Sequence, residues 1–309
     1  MPAAIAAMKA AYAELSTGQA HVPLRVALPV PPAEAVSLFM PAYLPSSGLG
    51  AKIVSVFPHN PAQGKAVVNG LVVVLDPATG EPQALFDGTF LTAWRTAAGA
   101  AAGMDVLARP EARVGALLGC GAQGRTLALA MDCVRPLETI RVYAPTRRHV
   151  EAFIAAQQPE VSARLVAAES ADAAVDGADL IGTATTSATP VFDGRRLKPG
   201  AHVSGVGSYT LAMQEVDAET VRRARIFIDS REPALAEAGD LVIAMRAGQT
   251  RAEDWTELGE VVAGLKPGRQ SPEEITFFKS VGNAAQDIAA AGRALAQARR
   301  MGLGTEVEF

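Results

Sequence analysis

The sequence predicts an α/β protein in which a doubly wound parallel sheet follows a smaller α+β region. Three observations carry this. From residue 114 onward, strand-like and helix-like segments alternate, which is the rhythm of a parallel sheet covered on both faces. Residues 23–90 instead hold short apolar or β-branched runs punctuated by Pro, Gly and Asn, which suits an antiparallel or mixed sheet. Between them, residues 113–130 run from an apolar segment through Gly119-Cys-Gly121-Ala-Gln-Gly124 into an apolar-periodic segment. That is the order strand, glycine turn, helix.

Each element follows from local pattern. Residues 1–18 read as an Ala-rich helix with Ile5, Met8, Tyr12 and Leu15 at helical spacing. Strands are expected at 25–30, 52–57, 71–75 and 82–87. Residues 92–107 form an Ala-rich helix whose small side chains permit close packing, and Arg109-Pro110 marks a boundary. The second half should have strands at 114–118, 139–143, 180–183, 202–206 and 226–229, with helices at 123–133, 148–157, 170–176 and 214–223. Residues 281–300 are another Ala-rich helix. Its composition matches the helices of the first region, to which it is expected to return.

A length of 309 residues gives about two domains as the prior. Apolar residues at 49% supply a substantial core, and aromatics at 5% mean that Ala, Val, Leu and Ile must build it. A net charge of −4 gives no basic footprint for nucleic acid. No apolar run reaches the roughly 20 residues of a membrane span. The N-terminal helix lacks the basic start and continuous apolar centre of a secretion signal. Cys120 and Cys133 have no second Cys or His at metal-ligand spacing, which reads as reduced packing thiols of a cytoplasmic protein with no metal site.

The glycine turn points to a dinucleotide. Gly119 permits the tight turn, Gly121 lets backbone approach a pyrophosphate, and Gly124 lets the helix pack close to the strand. The helix N-terminus then offers free N–H groups to phosphate. A ribose-binding acid is expected about 20 residues on when NAD is preferred. Here the second strand ends at Ala144 and continues Pro145-Thr146-Arg147-Arg148. A hydroxyl and two guanidiniums suit a 2′-phosphate, so NADPH is expected ahead of NADH. The other reading makes the two arginines ordinary solvated charges at a helix start.

Three cations sit in apolar segments: Arg25, Lys52 and Arg95. Such a charge is costly unless paired or hydrated. An anionic ligand, a structural ion pair and a snorkelling side chain are the open readings, and no Asp or Glu neighbours Arg25 or Lys52 in sequence. Asp229 and Glu232, after a strand, are expected to be structural, with Asp229 positioning Arg231 or capping a helix. His59 and His202 have no partner visible in sequence and are given bland roles.

These residues fall into a known pattern. Val22-Pro-Leu-Arg25, Ala51-Lys52-Ile-Val54, Leu91-Thr-Ala-Trp-Arg95-Thr-Ala-Ala98, the glycine turn, Ile228-Asp-Ser-Arg-Glu232, Glu237-Ala-Gly-Asp-Leu241 and Phe278-Lys-Ser-Val-Gly282 occur in order. With them, nearly the whole chain resembles the ornithine cyclodeaminase/μ-crystallin family. The resemblance implies a homodimer. Residues 1–110 with 285–309 would form the substrate-binding and dimerisation domain, and 111–284 the Rossmann dinucleotide-binding domain, with the active site in the cleft between. It implies that Arg25, Lys52 and Arg95 hold the substrate carboxylate and polarise its nitrogen-bearing carbon. Cofactor contacts would come from Arg95, Thr96, Ala122 and Gln123, from Ala144, Thr146 and Arg147, from Thr183, Ala184 and Thr185, and from Val206, Gly207 and Ser208. Ser280 and Val281 would close over nicotinamide and substrate.

One departure bears on the reaction. Cyclodeaminases and the related alanine dehydrogenases resemble Gly-x-Asp after the 206–207 position, whereas Tyr209 stands here. A phenol, with a reference pKa of about 10, supplies no carboxylate charge near neutrality. The pattern is therefore more similar to the family's ketimine reductases, which reduce Δ1-pyrroline-2-carboxylate and Δ1-piperideine-2-carboxylate to proline and pipecolate. Tyr209 would donate a hydrogen bond or shape the pocket. The rival readings are an ornithine cyclodeaminase or alanine-type dehydrogenase, a non-catalytic NADPH-dependent binder, and a reductase of imines formed from a keto acid and an amine.

Overall fold

A computed structural model describes residues 1–307; residues 308–309, the end of the expected returning segment, lie outside the described residues. Helix α1 (Pro2–Ser16) precedes a meander of strands β1 (Val26–Val30), β2 (Ala35–Leu44), β3 (Gly48–Val56), β4 (Val68–Leu75) and β5 (Pro82–Asp87). Helix α2 (Gly88–Leu107) leads into β6 (Val114–Leu118), α3 (Ala122–Val134), β7 (Thr139–Tyr143), α4 (Arg147–Gln157), β8 (Arg164–Ala167), α5 (Ala171–Val175) and β9 (Leu180–Thr183). The chain continues through β10 (His202–Gly205), α6 (Ala218–Arg223), β11 (Ala224–Ile228), α7 (Arg231–Glu237), α8 (Gly239–Arg246), β12 (Thr256–Glu257), α9 (Leu258–Val262), β13 (Ile275–Lys279) and α10 (Ala284–Met301).

The first sheet is antiparallel in the order β1-β2-β3-β4-β5. Its period of two sends Met40, Ala42, Val54, Val72 and Val74 inward against α2 and α10. Lys52 lies on that inner face too, opposite Met40 and Val72. The outer face carries an apolar row, Val26–Phe39–Ile53–Leu71, aligned across four strands. Phe39, Ile53, Leu71 and the neighbouring Leu85 are between 38% and 53% exposed.

The second sheet is wholly parallel, in the order β8-β7-β6-β9-β10-β13-β11-β12. Ala116, Leu117 and Leu118 of β6 are buried side by side, as a strand covered on both faces requires. The expected α/β architecture and the return of the last helix hold: α10 packs on α1, α2 and strands β2 to β4. Among the described residues, no helix is long and apolar enough to cross a membrane.

The structure adds seven elements, the helices α7, α8 and α9 and four strands. Strand β2 was not expected because Pro41 interrupts it. Tyr43 exchanges both backbone hydrogen bonds with His21, so Pro41 turns its donor-less nitrogen to that same edge, beyond the Val26–Phe39 pair where β1 begins. Strands β8, β12 and β13 were also not expected, being short and carrying Arg164, Glu257 and Lys279 at their ends. Helix boundaries move where a cap sets them. Asp87 accepts from Thr89 N and starts α2 four residues early. Asp217 accepts from Thr220 N and starts α6 at Ala218 rather than 214.

The glycine turn is as tight as its spacing implies. Gly119 has φ +115°, and a Cβ there would lie 2.4 Å from the Ala184 carbonyl oxygen. A Cβ on Gly124 would lie 2.1 Å from the Gly119 oxygen, whereas one on Gly121 meets nothing within 4 Å. Gly124→Ala should therefore push α3 off β6 and cost about 1–3 kcal/mol, read as a lower melting midpoint. Gly121→Ala, which meets no clash and loses only a glycine N-cap, should cost no more than about 1 kcal/mol. Equal melts for the two variants would contradict the close helix–strand packing.

Candidate active site

Strand β6 pairs with β7 on one side and β9 on the other, so the crevice at its C-terminal end is the switch point of the sheet. A cavity of about 420 Å³ opens there, lined by Gly119, Tyr143, Ala144, Pro145, Thr185 and Pro190 among others. Gly121 caps α3 without a side-chain hydrogen bond, leaving the first N–H groups beside Ala122 free for an anion. Thr146 caps α4 without using its hydroxyl. Arg147 lies beyond the cavity lining, exposed, with Nε 2.9 Å from Glu151. Thr183 is fully buried, and its Oγ1 has no partner among the described residues. A bare glycine cradle, free helix N–H groups and an orphaned hydroxyl fit a dinucleotide.

A second cavity, of about 140 Å³, lies between the inner face of the antiparallel sheet and the ends of β10 and β13. It brings together Arg25, Lys52, Arg95, Thr96, Gln123, Val206, Tyr209, Ser280 and Val281, all singled out from sequence. Leu38, Val54, Val56 and Val68 make its apolar wall. Gln123 and Thr92 line it, and Gln123 Oε1 and Thr92 Oγ1 have no partner among the described residues.

The cations are paired as well as cavity-lining. Asp287, fully buried in the first turn of α10, takes Arg95 Nε on Oδ1 at 2.8 Å and Lys52 Nζ at 2.8 Å from Oδ2. The Lys52 contact is a buried ion pair. Arg95 Nη1 also donates to Gln286 Oε1 at 2.6 Å. Arg25 reaches across the cleft from the segment before β1 and forks onto Glu237 of α7, with Nε 2.6 Å from Oε1 and a second contact from Nη2 to Oε2. Burial pushes the Lys52 ammonium down to about 8, Asp287 opposes this, and Arg95 and Arg25 reinforce it. Burial and the neighbouring Arg95 also lower Arg25.

The loops on the other side of the cavity hang on acids that sequence reasoning missed. Glu215 is fully buried and accepts from Thr185 N at 2.6 Å, Thr185 Oγ1 at 2.9 Å, Gly207 N at 2.7 Å and Ser208 N at 3.1 Å. Burial raises its carboxyl, with Lys279 opposing. Asp240 accepts from Ser208 Oγ and from the backbone of Glu215 and Val216, and it pairs with Lys279 Nζ at 2.8 Å. Burial would raise Asp240, but Lys279 holds it below the usual carboxylate range. The signal for Asp240 was its place in the quoted Glu237–Leu241 motif, and for Glu215 its place eight residues past Gly207, without any indication of what either faced.

Asp229 is structural, as expected, though its partners differ. It accepts from Ser280 Oγ and Gly282 N, both at 2.8 Å, and from Ser230 N. Arg231 instead donates to the Ala252 and Trp255 carbonyls. Glu232 is exposed. His202 is buried between Thr276 and Ser204 hydroxyls, and burial drives it well below its ordinary value, so it is neutral. His59 is exposed beside Glu34.

Relatives are clear. Residues 1–299 match the ornithine cyclodeaminase/mu-crystallin family. A Δ1-pyrroline-2-carboxylate reductase of Bacillus cereus is 36% identical over 302 residues, which is 97% of this chain and 93% of that protein. The structure of Thermococcus litoralis Δ1-pyrroline-2-carboxylate reductase in complex with NADH and L-proline matches with a TM-score of 0.94 at 37% identity, covering 98% of this chain and 95% of that one. An archaeal alanine dehydrogenase dimer with bound NAD matches at 0.92 and 30% identity, covering 100% and 95%. The chain belongs to the ornithine cyclodeaminase/mu-crystallin family.

Proposed function

We propose that the protein is a ketimine reductase that converts Δ1-pyrroline-2-carboxylate or Δ1-piperideine-2-carboxylate to L-proline or L-pipecolate. The observation that carries this is the small cavity itself. It sets three cations and an apolar wall against Gln123, Val206 and Ser280, at the edge of the dinucleotide crevice. One carboxylate finds Arg95 and Arg25, and ring methylenes find Leu38, Val54 and Val68. When bound, the reduced nicotinamide supplies the hydride. Lys52 holds a proton beside the imine nitrogen, and an amine pushed down to about 8 is able to release it near neutral pH. Val206 and Val281 keep water out, and Tyr209 closes the remaining side. Tyr209 brings no carboxylate to the cavity, which favours reduction over ammonia loss from ornithine.

This reading divides the chain as the sequence did. Residues 1–110 with 285–309 bind substrate and dimerise, and residues 111–284 bind the dinucleotide. NADPH is preferred, with Ala144, Thr146 and Arg147 taking the ribose phosphate. Leaving Glu151 costs Arg147 little, since an exposed i,i+4 pair is worth about 0.3–0.5 kcal/mol. The free cysteines, Cys120 and Cys133, support a reducing compartment such as the cytoplasm. The apolar row on the outer sheet face supports a homodimer closed through that face.

With NADPH, the five- and six-membered cyclic imino acids should be turned over, while ornithine should release no ammonia and pyruvate with ammonia should be a poor substrate. Lys52→Met should abolish reduction and leave NADPH binding, followed by fluorescence, within about threefold of wild type. Ammonia release from ornithine without added reductant would overturn the reading, and tighter NADH than NADPH binding would overturn the cofactor preference.

Light scattering should give twice the chain mass for wild type. Leu71→Lys, which sets a charge in the apolar row, should give one chain mass. A wild-type monomer, or an intact Leu71→Lys dimer, would remove the outer face as the interface.

A further inference from the structure

Three arrangements stand out beyond the roles already assigned: the buried Glu215–Asp240–Lys279 network, the surface groove beside Phe90 and Trp94, and the buried Asp287. The first is a scaffold for loops. Nothing shows what covers the second. The third touches two of the three cations and has a chemical consequence. We propose that Asp287 is the positioning residue of this active site, tying Lys52 and Arg95 to one carboxylate and keeping the Lys52 proton in place on the cavity floor. The proposal rests on the ketimine-reductase reading for what that proton does, and on geometry alone for where it is held.

The geometry is specific. Lys52 projects from the inner face of β3 and is 1% exposed. Of the charged groups whose fields act on it, Arg95 comes from α2 and Arg25 from the segment before β1, both positive, while Asp287 is the negative one in contact. Tyr209 faces it across the cavity, and Asp229 sits behind Ser280, committed to backbone and hydroxyl donors. Each oxygen of Asp287 serves one cation, both at 2.8 Å. The helix that carries it is fixed by a capping box between Asn283 and Gln286, and Gln286 bonds Arg95 as well as Tyr12. Gly282 makes room for this, since a Cβ there would lie 2.6 Å from Arg95 Nη1.

Removing the carboxylate would leave two buried positive charges side by side. The arginine keeps its proton, so the lysine must yield. An opposite charge at this distance shifts a titration by about one to three pH units. Without Asp287, Lys52 is neutral near pH 7, and a reaction that needs its proton fails at pH values where wild type works.

Competitive labelling of Lys52 by acetic anhydride across pH, read by mass spectrometry on the protein without substrate, reports the neutral amine directly. The midpoint should fall by about one to three pH units in Asp287→Asn. The basic limb of kcat/KM for the cyclic imino acid should fall with it, while NADPH binding stays within about threefold. Coincident labelling midpoints in wild type and Asp287→Asn would overturn the proposal. Asp287→Glu, which keeps the charge on a longer arm, guards against a variant that fails to fold. It should keep the wild-type midpoint and lose at least about tenfold in kcat, and unchanged kcat would equally overturn the proposal. A wild type that leaves both imino acids unreduced would instead sink the functional reading, with the labelling arm still deciding the role of Asp287.

Discussion

Burying positive charge between two sheets is the constraint on which this structure depends. Lys52, Arg95 and Lys279 are 1%, 6% and 0% exposed. An uncompensated ion in such a place costs roughly several kcal/mol even after relaxation. Each cation is met by a carboxylate brought from a distant part of the chain, Asp287 for the first two and Asp240 for the third. The fold cannot close around the cavity unless those acids arrive. The return of α10 to the antiparallel sheet therefore delivers a charge as well as an apolar face.

The segment that makes this delivery also joins the two halves. From β13 the chain passes Ser280, Val281 and Gly282 and enters α10. Asp229, at the end of β11, holds Ser280 and Gly282 from the parallel-sheet side. Asp287, less than two turns into the helix, holds Lys52 and Arg95 on the other. One short stretch of backbone is thus pinned to both sheets. Any shift of α10 relative to β3 moves the cation pair with respect to Val281, and the size and charge of the cavity change together.

The sequence showed the repeating features and the local ones. The strand–glycine–helix order around Gly119 located the switch point of the parallel sheet, and clearances of 2.4 Å at Gly119 and 2.1 Å at Gly124 explain why those residues could be assigned without a structure. Lys52 was legible as an anomaly because it breaks an apolar strand. Its partner was not legible, and neither was that of Arg25. Arg95 and Asp287 lie 192 positions apart, and Arg25 and Glu237 lie 212 apart. Pattern reading over one or two turns cannot pair residues that only the tertiary fold brings together. Strand β2 was hidden by Pro41, whose missing donor matters only if a neighbouring strand is there to accept it. Glu215 was hidden for the opposite reason: an acidic residue in a polar loop looks solvated until four donors are found converging on it.

The paired cations also bear on the direction of catalysis. Hydride transfer to an imine consumes a proton, and the reverse reaction needs a base to take one from the amine. The acids nearest the cavity are all committed, Asp287 and Glu237 to cations and Asp229 to donors of the 280–282 turn. Tyr209 lines the cavity and brings no carboxylate to it. On the proposed reading, Lys52 would serve both ways. Held near 8, it is mostly charged at neutral pH and mostly neutral two units higher. On that reading the same amine would favour reduction in the first range and amine oxidation in the second. A cavity built with a free Asp at the Tyr209 position would lack this bias, because its base would be ionised throughout.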